Sequence, residues 1–211
     1  MAAKYLECII FTFVSWAIVC NGEPPASQNS DDYLEEMKKI LGAIPKFELI
    51  AAKHNLSKLE HQCWRSEKKG GDADSFLHQL GYKEQQEPGY WTPFNYNFIT
   101  VTYTLSLQDG KTKLHMKPLR QVEVQYPMSE INTVVFAKHD GANDPFFILT
   151  SDDQENGGAF CSLWQQQESI PAARKDVILD TTPSDLFNEK CRHESANTYQ
   201  KPEFCRDWDH L

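Results

Sequence analysis

Residues 96–105 set the strongest limit on what this chain can fold into. Asn97, Ile99, Val101, Tyr103 and Leu105 alternate with Tyr96, Phe98 and three threonines. Period-two alternation puts the two sets on opposite faces of a strand, and Thr and Tyr suit a pleated surface. Asp109-Gly110 follows as a hairpin signal, leading into 113–116. Shorter segments of the same kind lie at 46–50, 61–68, 76–82, 122–126, 133–137, 146–150 and 160–166, with a Glu155-Asn156-Gly157-Gly158 turn before the last. Eight or nine short strands at intervals of about 8 to 15 residues predict an all-β sandwich or barrel.

Two helices flank the strands. Residues 31–41 place Leu34, Met37 and Leu41 on one face, with Asp31 or Asp32 as cap, Lys38 and Lys39 near the end and Gly42 as stop. Near the other end Thr182 caps a helix with Pro183 in its first position, running through Leu186 and Phe187 to about His193.

The start of the chain reads as a secretory signal. Lys4 precedes an apolar run from Leu6 to Cys20, and small residues near Gly22 give a cut site. The run is shorter than the roughly 20 residues a membrane span needs. Residues 1–22 are therefore expected to be removed, leaving 23–211 as one secreted domain. The formal net charge of −9 argues against nucleic acid and anionic membranes as partners.

Four cysteines remain after the cut: Cys63, Cys161, Cys191 and Cys205. In an exported chain this reads as two bridges, for which three pairings exist. Zinc spacing is absent. Asp140, Asp144, Asp152 and Asp153 lack EF-hand spacing. The sequence has no G-x-S-x-G, HExxH or P-loop, so no enzyme, metal or cofactor is expected. Asn55-Leu56-Ser57 is a glycosylation sequon.

Four stretches carry a family likeness. Phe47-Glu48-Leu49-Ile50, Cys63-Trp64, Phe160-Cys161-Ser162-Leu163-Trp164, and Asp185 to Cys191 with Cys205 resemble the tick salivary lipocalins, the group that includes the histamine-binding proteins. The resemblance implies an eight-stranded antiparallel lipocalin-type barrel with a short N-terminal helix and a C-terminal helix packed outside. It implies bridges Cys161–Cys191 and Cys63–Cys205, which inward-facing Trp64, Ser162 and Trp164 would leave outside the barrel. It implies a lumen lined by Trp64, Ile99, Val101, Tyr103, Phe136, Phe147, Ser162 and Trp164, with the Tyr103 or Ser162 hydroxyl orienting a ligand.

The chain departs from the family's amine binders in two places. Ser162 stands where they carry an acid, and Pro145-Phe146-Phe147 stands where they carry a cysteine. The glycine-x-tryptophan of ordinary lipocalins is also missing near Phe47. The expected cargo is a lipid-like host mediator (leukotriene, fatty acid or sterol). Histamine or serotonin is the alternative cargo. A third reading is a filled barrel that engages a host immune protein through loops such as 68–74 or 140–144.

Overall fold

The computed structural model describes residues 33–54, 61–84, 95–120, 128–139, 145–151, 159–166, 182–192, 197–201 and 205. The expected signal peptide, Asn55, the 122–126 alternation, the 155–158 turn and the 140–144 loop lie outside the described residues.

Helix α1 (Leu34–Ala43) leads into β1 (Lys46–His54). Then come β2 (His61–Gly71), β3 (Ser75–Glu84), β4 (Asn95–Gln108), β5 (Lys111–Pro118), β6 (Ile131–Lys138), β7 (Phe146–Ser151) and β8 (Ala159–Gln166). Every neighbouring pair is antiparallel, and β1 pairs with both β8 and β2. The eight strands thus close into a lipocalin-type barrel, which removes the exposed edges an open sheet would leave. Helix α2 (Pro183–Lys190) packs outside against β7 and β8.

A ninth strand, β9 (Asn197–Gln200), was not foreseen from sequence. One edge of β1 is divided. Lys46 to Glu48 pair with β2, while Ala51 to His54 pair with β9. The last strand thus covers the length of edge that β2 leaves.

Local chemistry explains several elements. Asp109 and Gly110 both have positive φ, 52° and 72°, as a two-residue hairpin with the strands' twist requires. At the β2–β3 turn, Gly71 has φ 116°, and a Cβ there would lie 2.2 Å from the Ser75 carbonyl oxygen. Asp72 closes the same turn by accepting from the backbone N–H of Asp74 and Ser75. The Thr182 hydroxyl accepts from the Asp185 N–H while the Asp185 carboxylate accepts from the Thr182 N–H, a capping box with Pro183 in the first turn.

Helix α1 differs from expectation at both ends. Its N-cap position is Tyr33, whose side chain makes no cap; Asp31 and Asp32 lie outside the described residues. Gly42 does not stop it. The helix continues to Ala43, and Pro45 drives the preceding Ile44 into extended geometry. Lys38 and Lys39 therefore sit short of the last turn and pair with Glu35 and Glu36. Helix α2 ends at Lys190, three residues before the expected His193.

Candidate functional site

Alternation sorts the barrel's side chains. On β4, Ile99, Val101 and Tyr103 enter the lumen; on β3 their cross-strand partners Leu80, His78 and Phe76 do the same. Phe147 and Leu149 of β7, Ser162 and Trp164 of β8, and Phe47, Leu49 and Ala52 of β1 complete that wall. The rings organise it. Trp64 stacks on Tyr82 with centroids 4.7 Å apart, and Phe147 meets Phe47 edge-on at 5.3 Å. Aromatic walls supply the desolvation that holds a small apolar ligand.

One end of the lumen is closed by α1. Met37, Ile40 and Leu41 are fully buried in the same cluster as the lumen walls. The Thr112 hydroxyl accepts from the Tyr33 N–H at 3.0 Å, and the Lys68 ammonium donates to the Gly42 carbonyl. The α1 end also holds the β2–β3 turn and the β4–β5 hairpin. Met116 lies toward the opposite end of its strand, and Met128 precedes β6; both are buried, and their unbranched chains adapt readily to shape.

A polar cluster sits deep in this apolar setting. The Ser66 Oγ lies 3.0 Å from His78 Nδ1 and 3.3 Å from the Tyr103 hydroxyl. The His78 and Tyr103 rings are 4.9 Å apart. Burial lowers the His78 pKa to about 4, the Lys68 charge adds to this, and the Leu41 carbonyl opposes it. Burial pushes the Tyr103 phenol far above its ordinary range, against the Ser66 hydrogen bond. Both groups are neutral at physiological pH. His78 Nε2 makes no hydrogen bond. Nothing local in the sequence marks His78. Its position opposite Val101 is what could have placed it.

The eight residues expected to line the lumen divide as follows. Trp64, Ile99, Val101, Tyr103, Phe147, Ser162 and Trp164 share the lumen and are buried. Phe136 does not join them. A bulge between Val134 and Phe136 reverses the alternation, so Phe136 pairs with Ile148 on the outer face and stacks on Phe146 at 5.2 Å. Ser162 is already engaged, accepting from the Trp164 indole N–H at 3.1 Å. The Tyr103 hydroxyl is likewise committed to Ser66.

The outside is stapled at two places. Cys161 joins Cys191, tying α2 to β8, and Cys63 joins Cys205, tying the tail to β2. Such bridges each add on the order of 2–4 kcal/mol. Cys63 itself has φ 53°, the bulged residue between Gln62 and Arg65. Glu48 is buried but faces outward, where Lys201 pairs with it. Among the described residues, no group of three or more His, Cys, Asp or Glu is placed to hold a metal ion. No described helix is long and apolar enough to cross a membrane.

No family model matches the chain, and no curated protein matches it. Solved structures do. Japanin from Rhipicephalus appendiculatus, in a structure bound to cholesterol, aligns over 75% of this chain and 92% of its own at 14% identity, with a TM-score of 0.47. Lobster apocrustacyanin A1 aligns over 83% of this chain and 84% of its own at 12% identity, with a TM-score of 0.45. Apocrustacyanin C2 aligns over 88% and 91% at 12% identity, with a TM-score of 0.47. Likeness at this level says nothing about cargo.

Proposed function

We propose that this protein is a secreted salivary lipocalin of the tick type that sequesters a small lipid-like host mediator in its barrel. The observation that carries the reading is the lumen's chemistry. Its buried walls are aromatic and aliphatic, and the polar groups buried deep in it, Ser66, His78, Tyr103 and Ser162, are neutral, with Lys68 beside α1 and the exposed Glu84 carboxylate, bonded to Asn97, at the opposite end. The one buried carboxylate among the described residues, Glu48, faces away from the lumen. A protonated amine taken from water needs a buried anion to offset its desolvation. A lipid-like molecule needs apolar surface and a few hydrogen-bonding groups, so a leukotriene, fatty acid or sterol fits better than histamine or serotonin. The paired cysteines support an extracellular setting, as do the apolar leader at 1–22 and the Asn55 sequon.

A second reading is favoured by one observation. Trp64, His78, Val101 and Trp164 are all essentially without exposure, so their part of the lumen is filled by side chains. Ligand entry then requires movement, for which Met116 and Met128 are the most adaptable groups. A barrel that stays filled is a scaffold whose exterior engages a host protein. Isothermal titration against a leukotriene, a fatty acid, a sterol, histamine and serotonin separates the readings. Tight binding of a lipid supports the first. Tight histamine binding overturns the exclusion of amines, and no binding to any of the five leaves the scaffold reading.

A further inference from the structure

The outer face of β5 is basic in an acidic protein. Thr112, Leu114 and Met116 are buried in the barrel, so Lys111, Lys113, His115 and Lys117 all face outward. The row is one strand wide and runs about 20 Å, with a side chain every ~7 Å. Its neighbours on β4, by register, are Thr102 beside Lys117, Thr104 beside His115 and Ser106 beside Lys113. On β6, Thr133 and Ile131 stand beside Lys113 and His115. Hydroxyls line the row: Lys113 donates to Thr133 at 2.6 Å, and His115 Nε2 lies 2.9 Å from the Ser106 Oγ. The outward-facing partners on both flanking strands are uncharged. Asp109 in the hairpin and Glu123 are the acids next to it in the chain, and Glu130 stands before β6.

Three lysines within seven residues, in a chain with 30 acidic and 21 basic residues, make a local field opposite in sign to the whole. We propose that this face of β5 binds a linear sulfated polysaccharide, the sulfates meeting the row of cations and the flanking hydroxyls bonding to the sugar. The shape argues for a chain-like partner. A single file of basic side chains at every second residue, three of them lysines, matches a polymer with repeating charge. A bilayer offers a plane of charge, and the rest of a protein at net −9 would be repelled from it within a Debye length of about 10 Å at 0.1 M salt. The inference does not depend on the barrel's cargo.

Retention of the purified protein on immobilised heparin tests it, with desulfated heparin and phosphatidylserine vesicles as comparison surfaces. The protein is expected to bind heparin at low salt despite its net charge, to release as salt rises, and to ignore desulfated heparin. The double variant Lys111→Gln/Lys117→Gln, at two exposed positions, should weaken binding about tenfold or more, as loss of cation–polyanion contacts does. Lys39→Gln/Lys190→Gln removes the same charge elsewhere on the surface and should leave binding unchanged. The proposal is overturned by absence of heparin binding, by equal loss in the two double variants, or by binding to vesicles without binding to heparin.

Discussion

The backbone N–H of Cys63 donates to the hydroxyl of Tyr199 across 3.2 Å. This bond joins the bulged residue of β2 to the strand that covers the rest of the β1 edge. Burial pushes the Tyr199 phenol up to about 12, Glu48 nearby also raises it, and the Cys63 N–H opposes the rise. The same two residues anchor the tail in two ways, since Cys63 also carries the bridge to Cys205. Tyr199→Phe keeps the ring but leaves a buried N–H without its acceptor. It is expected to cost about 1–3 kcal/mol in urea unfolding, and an unchanged midpoint would show that the bond contributes nothing.

Gly71 is the tightest position in the β2–β3 turn. An added methyl meets the Ser75 backbone, which cannot rotate away as a side chain would, and φ 116° is itself unfavourable for an L-residue. Gly71→Ala should destabilise by about 1–3 kcal/mol or more, whereas a neutral effect in thermal unfolding would mean that the turn rearranges freely.

His78 gives the protein a specific acid sensitivity. Its folded pKa lies near 4, below the ordinary 6.5. Between these values the unfolded chain binds a proton that the folded chain does not, so stability falls as pH drops from above 6.5 through 4. The full effect is on the order of 3 kcal/mol. Carboxylates also titrate in this range, so the comparison is with His78→Gln. Urea unfolding at pH 7 and pH 4 should show a smaller loss in the variant, and equal losses in both proteins would remove His78 as the cause.

Ser162 holds the Trp164 indole by accepting its N–H. Ser162→Ala should cost about 1–3 kcal/mol by leaving that donor buried and unpaired. A red shift in tryptophan emission would accompany loosening of the ring. No change in either quantity would show that the indole finds another acceptor.

The strands were readable where one face is buried and the other is not. Residues 96–105 declare themselves by alternation, and Asp109-Gly110 and Thr182 to Asp185 carry their chemistry within a few residues. Most of the misses have non-local causes. The Asn197-Thr198-Tyr199-Gln200 segment has almost no apolar pattern; it is a strand because the β1 edge and the Cys205 bridge hold it there. Phe136 lies outside because one bulge, invisible in the alternation, reverses the faces of β6. Lone residues such as His78 and Ser66 gain meaning only when β2, β3 and β4 bring them together. Gly42 misled because the proline two positions beyond Ile44's predecessor, Pro45, sets the helix end more firmly than a glycine inside it.

The most direct test of the proposed lumen is quenching of its own tryptophans. Trp64 and Trp164 are two of the five tryptophans and both sit in the barrel wall. Trp91→Phe/Trp208→Phe in the chain from Glu23 leaves only these two emitters. Titration with a brominated long-chain fatty acid should quench them to saturation at one ligand per protein, and unbrominated acid should restore the emission by competition. Unquenched emission at lipid concentrations well above that of the protein would contradict a lipid-binding barrel.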